Sequence, residues 1–229
     1  MKKKSFLLFL FMGFYFFLAG TPNSAVWNRV MFWGSNSTHY YYYLIERIQP
    51  GSHYSYTDSI YLCEKPKSCH LKEKKILLEK IHYFDKDTLG NWDFKVDTKS
   101  SINVHDYLAK NNAFHSFQHL YDLQVQKDGI YMIYEKSRKQ VLDLNELKKC
   151  VNWEIFSELL NETNERRFPR IINIYTDNAI LKKMNENHEE YCYLLVQYGA
   201  GTYDSNFFQS IIPISRDKLD TALMKLRNR

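Results

Sequence analysis

The sequence is poor in glycine and proline and lacks the short motifs that mark many enzymes. Its 229 residues include 8 glycines and 5 prolines, roughly half the share of an average protein. It has no Gly-x-Ser-x-Gly motif, no phosphate-binding loop ending in Gly-Lys-Ser/Thr and no calcium loop of the EF-hand type. These absences count against nucleotide-binding proteins and motif-based hydrolases. A hydrolase with catalytic residues scattered along the chain stays open.

Positive charge is not concentrated along the chain. Lys and Arg total 31 against 26 Asp and Glu, which gives a formal net charge of +5. Three of the positive charges are Lys2, Lys3 and Lys4, so the rest of the chain carries only +2. A nucleic-acid-binding protein concentrates basic residues in order to displace phosphate counterions. We therefore expect no nucleic-acid partner.

The N-terminus has the order of residues found in an export signal. The three lysines precede 14 apolar residues at 6–19, and the small residue Gly20 follows. A membrane-spanning helix needs about 20 apolar residues, which favours cleavage over a permanent anchor. We predict that residues 1–20 are a signal peptide and that residues 21–229 form a single α+β domain outside the cytoplasm, periplasmic, cell-surface or secreted. The alternatives are an uncleaved anchor and a buried helix of a cytosolic domain.

The end of the apolar segment resembles a known lipid-attachment motif. Leu18-Ala19-Gly20 is similar to the lipobox of bacterial lipoproteins, in which the next residue is the cysteine that receives the lipid. This chain has Thr21 there instead. The resemblance implies an exported protein, whereas Thr21 offers no thiol for a lipid. Membrane contact is therefore expected only through the N-terminal segment, if that segment is retained.

The periodicity of apolar residues predicts an α+β fold with a largely antiparallel β-sheet built from hairpins and a few helices. The predicted strands are residues 39–49, 54–63, 75–84, 92–96, 120–126, 130–135, 171–175, 191–198 and 207–214. Residues 75–84 fit a helix as poorly as a strand, and the aromatic pair that closes this run favours the strand. Asp128-Gly129 predicts that residues 118–135 form a hairpin. The predicted helices are residues 102–110 with Ser101 as N-cap, a helix from an Asp143/Glu146 capping box to about residue 160 with a break near Asn152, and an amphipathic C-terminal helix after Ser215.

Two of the four cysteines stand close together in sequence. Cys63 and Cys69 enclose five residues that include a proline, and an oxidising compartment favours a disulfide between them. Inert thiols and a metal site with His70 are the alternatives, although structural zinc sites usually have two to four residues between cysteines. Cys150 and Cys192 form either a second bridge or core thiols, because four cysteines allow three pairings.

Two histidines have a spacing that can serve metal binding. His115 and His119 are four residues apart, which places two imidazoles on one face of a helix. No Glu follows His115 as the general base of a metalloprotease would. We therefore expect surface or half-buried histidines, with no metal and no cofactor. A metal-binding protein that uses these two residues is a third hypothesis.

Aromatic residues are the most distinctive feature of the composition, with 18 Tyr, 15 Phe and 4 Trp. Tyr40 to Tyr43 are consecutive, so a strand sends two of them to each face and one face must be exposed or covered by another element. Tyr and Trp serve well at recognition surfaces, but they also stabilise sheets by packing across strands. The candidates for an aromatic binding surface are Trp27, Trp33, Tyr41 and Tyr43.

These observations together predict an exported envelope or secreted protein that is a non-enzymatic binding or structural protein. It would act through an aromatic-rich surface on an unknown protein or glycan at the cell envelope. The alternative is an extracytoplasmic hydrolase. The sequence identifies no catalytic residue for it.

Overall fold

Antiparallel strands dominate the described part of the chain. The computed structural model describes residues 25–50, 55–67, 72–86, 91–118, 121–163, 167–176, 190–199 and 208–228. The strands are β1 Ala25–Ser35, β2 His39–Gln49, β3 Ser55–Pro66, β4 Lys74–Asp85, β5 Trp92–Lys99, β6 Phe114–His115, β7 Phe117–Gln118, β8 Leu123–Gln126, β9 Gly129–Tyr134, β10 Ser137–Asp143, β11 Arg170–Thr176, β12 Tyr191–Tyr198 and β13 Phe208–Ser215. The helices are α1 Val104–Lys110, α2 Leu144–Leu147, α3 Trp153–Leu159 and α4 Arg216–Arg227.

The strands form three antiparallel sheets, which confirms the predicted fold class. The large sheet has the order β5-β4-β3-β2-β1-β6, the second sheet β13-β12-β11-β7 and the small sheet β10-β9-β8. Most neighbours in the sheets are consecutive in sequence, as expected when hairpins build the fold. The C-terminal helix is amphipathic because it buries Leu219, Ala222 and Leu226 and exposes Met224.

The large sheet and the second sheet pack face to face. Tyr40, Tyr42 and Leu44 of β2 lie on what we term the inner face of the large sheet. They contact Tyr193 and Leu195 of the second sheet, and all five side chains are buried. Because successive residues of a strand alternate between faces, Tyr41 and Tyr43 lie on the opposite face. We call that opposite face the open face.

A second core lies on the other side of the second sheet. Leu194 and Val196 point away from the large sheet, and they join a buried cluster that includes Ile130 and Met132 of the small sheet. Leu219 of α4 and Phe156 of α3 close this cluster. The layers are therefore the large sheet, the second sheet, and then the small sheet with α2, α3 and α4.

The hairpin at Asp128-Gly129 is confirmed, with different limits. β8 pairs with β9 from Leu123↔Met132 to Gln126↔Gly129, so Lys127 and Asp128 form the turn. Gly129 has φ +152°, and a Cβ there would lie 2.0 Å from the Leu142 carbonyl oxygen. The prediction that the hairpin begins at Gln118 is wrong, because Gln118 lies in β7 and pairs with Tyr175 of the second sheet.

Most helix ends lie where the sequence predicts them. The Asp143/Glu146 capping box is present, and the helical region breaks between Leu147 and Trp153 as predicted. The predicted N-cap at Ser101 is wrong. Asn103 caps α1 instead, since its side chain accepts hydrogen bonds from the backbone nitrogens of residues 105 and 106. An amide oxygen at this position satisfies two backbone donors at the start of the helix.

The junction between the two large layers depends on one buried glutamine. The backbone nitrogen of Val30 in β1 donates a 2.8 Å hydrogen bond to Gln209 Oε1 of β13. The backbone nitrogen of Gln209 donates in turn to Asn28 Oδ1 of β1. Gln209 is only 9% exposed. It satisfies a buried donor at a point where no described strand of the large sheet pairs with β1 on the side away from β2, since β6 pairs only with Gly34 and Ser35.

We expect Gln209→Ala to lower the free energy of unfolding by about 1 to 3 kcal/mol, because the Val30 N–H is then buried without an acceptor. Urea denaturation followed by circular dichroism measures this change. The control is Gln124→Ala, an exposed strand glutamine, for which the expected change is within about 0.5 kcal/mol. Equal effects of the two substitutions would contradict the proposed role of Gln209.

Candidate functional site

Helix α1 covers one end of the open face. Tyr41 and Leu62 are fully buried there and pack against Leu108 of α1, with Val104 and Tyr107 beside them. The Tyr41 hydroxyl accepts a 3.1 Å hydrogen bond from Asn36 Nδ2. Tyr41 is therefore part of a core and does not belong to an exposed surface. Among the four surface candidates it is the one that the structure places inside.

The middle of the open face is covered by none of the described elements. Met31 is 50% exposed there, while Tyr43, Ile45 and Ile60 are half-buried in the same face. Trp33 lies where the β1–β2 register shifts between Phe32 and Gly34. Its indole is half-buried and lies 4.0 Å from the His115 ring, centroid to centroid.

Aromatic rings gather at the far end of the open face, across β3, β4 and β5. Tyr56 and Tyr83 stack with centroids 4.6 Å apart, Tyr56 lies 5.3 Å from Trp92, and Tyr83 lies 6.2 Å from Phe94. Trp92 is 48% and Phe94 61% exposed. We call these four residues the aromatic end. Two rows of open-face residues separate this end from the middle of the face, and they combine apolar side chains with Arg29, Glu79 and the Arg47–Asp58 pair.

The sequence analysis did not single out the aromatic end, although the signal was present. In β5, Trp92, Phe94 and Val96 alternate with Asp93 and Lys95, a pattern that indicates a strand with one apolar face. The pattern does not reveal that β5 is an edge strand or that helix α1 stops short of it. The β4–β5 pairing also shifts register between Lys80 and Ile81. This bulge could not be predicted from the sequence.

The Arg47–Asp58 ion pair lies between Trp27 and the aromatic end. Arg47 Nε and Nη2 each donate a 2.7 Å hydrogen bond to the Asp58 carboxylate, which is 6% exposed. The guanidinium lies 3.9 Å from the centroid of the Tyr56 ring and 5.7 Å from that of Trp27. The hydrogen bonds to Asp58 raise the pKa of Arg47 above its usual value. The pair is bidentate, and such geometry is among the stronger ionic contacts.

We expect Arg47→Met to destabilise the protein by about 2 kcal/mol, because the Asp58 carboxylate is then buried without its cation. The double variant Arg47→Met with Asp58→Leu should regain much of this loss, because no unpaired charge is left in the sheet. A double-mutant cycle by urea denaturation measures the coupling. Strictly additive effects of the two substitutions would show that the pair does not act as a unit.

The most polar cluster lies beside α1. Glu64 Oε2 accepts a 2.7 Å hydrogen bond from the Tyr107 hydroxyl, and Lys74 Nζ donates to the same hydroxyl over 3.0 Å. His39 Nε2 is 4.0 Å from Glu64 Oε1, and its Nδ1 is 2.8 Å from Thr38 Oγ1. A hydroxyl, an imidazole and a carboxylate therefore follow one another, as they do in a catalytic triad.

The electrostatics of this cluster do not favour catalysis. The hydrogen bond to Tyr107 raises the pKa of the Lys74 ammonium, and burial raises the pKa of the Tyr107 hydroxyl. Both shifts hold the groups in their protonated forms, whereas a catalytic lysine or tyrosine base needs a lowered pKa. His39 lies 4.0 Å from the carboxylate, beyond hydrogen-bonding distance.

Cys63 lies on the inner face of the large sheet. It is a free thiol with no exposed surface, next to Tyr42 and Glu73. Burial raises the pKa of this thiol, and the Glu73 carboxylate adds to the effect. Cys69, its predicted disulfide partner, lies outside the described residues, in the connection between β3 and β4. Cys150 and Cys192 are both buried in the second core.

The bridge between Cys63 and Cys69 stays a prediction for the exported protein. Cys69→Ser is the informative variant, since Cys63→Ser also places a hydroxyl in a core. If the bridge forms, Cys69→Ser lowers stability by about 2 kcal/mol, from the loop entropy of the unfolded chain. Peptide mapping without reductant detects the bond directly. Alkylation of both thiols in protein from the oxidising compartment would rule it out.

The position of His115 removes the geometric argument for a metal site. This residue lies in strand β6, so the helical spacing that would align it with His119 does not apply, and its Nδ1 lies 3.1 Å from the Trp33 carbonyl oxygen. His119 is outside the described residues. Within the described ranges, no group of three or more His, Cys, Asp or Glu side chains is arranged to hold a metal ion.

Comparisons of the chain with protein-family models, curated proteins and solved structures give no match. In the part of the chain with described coordinates, no helix has both the length and the apolar character needed to cross a bilayer.

Proposed function

We propose that this is an exported protein that binds a protein or glycan of the cell envelope through the open face of its large sheet, without catalysing a reaction. The observation that carries the proposal is the set of exposed apolar side chains on this face, with Met31 in its middle and Trp92, Phe94 and Val96 at its far end. Groups of exposed apolar side chains are typical of interaction sites. The middle of this face, around Met31 and Tyr43, is the proposed partner site.

The contrast between the two faces of one sheet supports this proposal. On the inner face the aromatic side chains are buried against the second sheet, and their role is structural. On the open face Met31 is 50% and Phe94 61% exposed, so packing against the described part of the chain does not explain why these residues are apolar. Trp27 and Tyr43, two of the residues expected at a binding surface, are half-buried on this face. Amphipathic aromatic residues with one accessible edge are common anchors at interfaces.

The hydrolase alternative finds no support in the polar cluster. Lys74 and Tyr107 are held in their protonated forms, and neither is suited to accept a proton at neutral pH. Binding through the open face needs no such group.

The export step of the proposal predicts that residues 1–20 are absent from the mature protein. Intact-mass analysis of the exported protein measures this directly. A soluble cytosolic form that keeps Met1 through Gly20 is the result that contradicts it.

The binding step is tested with a matched pair of substitutions. Met31→Lys places a charge in the middle of the open face, while Met224→Lys places the same charge on α4, where the methionine is 62% exposed. We expect Met31→Lys to weaken cosedimentation with isolated envelopes of the producing cells about tenfold or more, since that factor corresponds to only about 1.4 kcal/mol. Met224→Lys should bind like the unmodified protein.

Treatment of the envelopes identifies the partner class. Protease treatment removes binding if the partner is a protein, and periodate oxidation removes it if the partner is a glycan. Equal binding by the Met31 and Met224 variants would overturn the proposed role of the open face, provided that both unfold at the same urea concentration as the unmodified protein.

A further inference from the structure

We infer that the part of the open face next to α1 binds an amphipathic α-helix of a partner protein, with the acidic first turn of that helix at Arg29 and its basic last turn at Glu79. The inference rests on the proposed function, and it decides between the two partner classes in favour of a protein. All the residues that it uses lie in β1 to β5 and α1.

Helix α1 shows how a helix lies on this face. The backbone nitrogen of Ser100, which precedes α1, donates a 2.7 Å hydrogen bond to the carbonyl oxygen of Leu78 in β4. At the other end of the helix, the carbonyl oxygen of Asn111 accepts a 2.8 Å hydrogen bond from Asn36 Nδ2, one residue after β1. Helix α1 therefore crosses the strands from β4 to β1, and a second helix has room to cross them beside it.

Two rows of residues lie beside α1 on the open face. We call them the helix slot: Arg29, Ile45, Ile60 and Glu79 in one row, and Met31 and Tyr43 in the row closer to α1. From β1 to β4 the slot spans three strand spacings, which is about 14 Å. This is the length of about ten helical residues.

The floor of the helix slot favours a protein segment over a glycan. Ile45 and Ile60 have no polar side-chain atom, and Met31, which is 50% exposed, has only a thioether. A glycan needs convergent hydrogen-bonding groups, which this floor does not supply. A helix with one apolar stripe matches an aliphatic floor, and methionine adapts its flexible side chain to an apolar partner.

The charges at the two ends of the slot select the orientation of the helix. Arg29 is exposed and Glu79 half-buried, and neither side chain has a hydrogen bond or an ion pair in the described part of the chain. Lys99 lies opposite Glu79 in β5 without an ion pair to it. Helices favour acidic residues in the first turn and basic residues in the last. Such a helix pairs with Arg29 and Glu79 when it runs from β1 to β4, antiparallel to α1.

The test uses a designed peptide of about 14 residues, about 21 Å long as a helix, with leucines at helical spacing, glutamates in its first turn and lysines in its last turn. The protein carries 5-fluorotryptophan, and single Trp→Phe variants assign the fluorine signals. Trp27 lies two residues from Arg29 on the open face, whereas Trp153 packs on the second core. We expect saturable shifts of the Trp27 signal with a Kd below about 1 mM, and no shift of Trp153.

The control is a peptide of the same composition in which the leucines form no stripe. It should leave the Trp27 signal unchanged. Equal effects of the two peptides, or no saturable change with the designed peptide up to about 1 mM, would overturn the inference.

A charge swap tests the orientation. Arg29→Glu should weaken peptide binding about tenfold or more, because the acidic first turn then meets a like charge. Lys139→Glu, the same kind of change on exposed β10, should have no effect. Arg29→Glu with Glu79→Lys should restore binding with the helix turned end for end. A nitroxide on the N-terminus of the peptide should then broaden Trp27 in the unmodified protein but not in the double variant.

Recovery in the double variant excludes unfolding as the cause of the loss in the single variant. Unchanged binding by Arg29→Glu, or no recovery in the double variant, contradicts the proposed orientation.

The envelope assay separates this inference from the proposed function. If the designed peptide binds and displaces the protein from envelopes, both are supported. If envelope binding depends on Met31 but the peptide does not bind, only the helix slot fails. If the peptide binds and Met31→Lys leaves envelope binding unchanged, the proposed function fails and the helix slot is retained.

Discussion

The register of the β2–β3 hairpin is the constraint on which the rest of the structure depends. Ten consecutive residue pairs, from His39↔Pro66 to Ile48↔Thr57, follow one another without a bulge. This register sends Tyr40 and Tyr42 to the second sheet and Tyr43 to the open face. A slip by one residue would exchange the two faces, and the Arg47–Asp58 pair would then face the apolar second sheet. The long hairpin thus determines both the core and the accessible surface.

Many of the aromatic side chains pack inside the protein. Phe32, Tyr40 and Tyr193 form a cluster between the large and second sheets, with ring centroids 4.8 to 6.2 Å apart. Tyr198 makes an edge contact with Phe156 in the second core at 5.3 Å. These tyrosines therefore have a structural role in the two cores. Only the residues on the uncovered face are available for another role.

Local signals in the sequence predicted the local structure well. β2 and β12 have the predicted limits, and the Asp143 capping box and the Asp128-Gly129 hairpin are where their residue chemistry places them. β1 was missed because its residues alternate between a buried face and a partly exposed apolar face, so no polar period appears. β10 was missed because most of its residues are exposed and polar.

The candidate site was predicted only in part, because its composition depends on tertiary packing. The alternation of Tyr40 to Tyr43 correctly indicated two faces. The local sequence does not predict which of these tyrosines α1 covers. The helix buries Tyr41 and leaves Tyr43 half-buried. The aromatic end combines residues from three strands, and its exposure follows from the edge position of β5, which only the strand order reveals.

The irregular pairing of β5 bears on how the protein behaves when many copies are crowded together. An open strand edge is a template for polymerisation, because a strand of a neighbouring molecule can continue its hydrogen-bond ladder. The bulge near Val96 breaks the even spacing of groups that such a ladder needs. The charged side chains of Asp93, Lys95, Asp97 and Lys99 would also lose water in a fibril. The strand can thus expose aromatic rings to a ligand and still oppose the growth of aggregates along its edge.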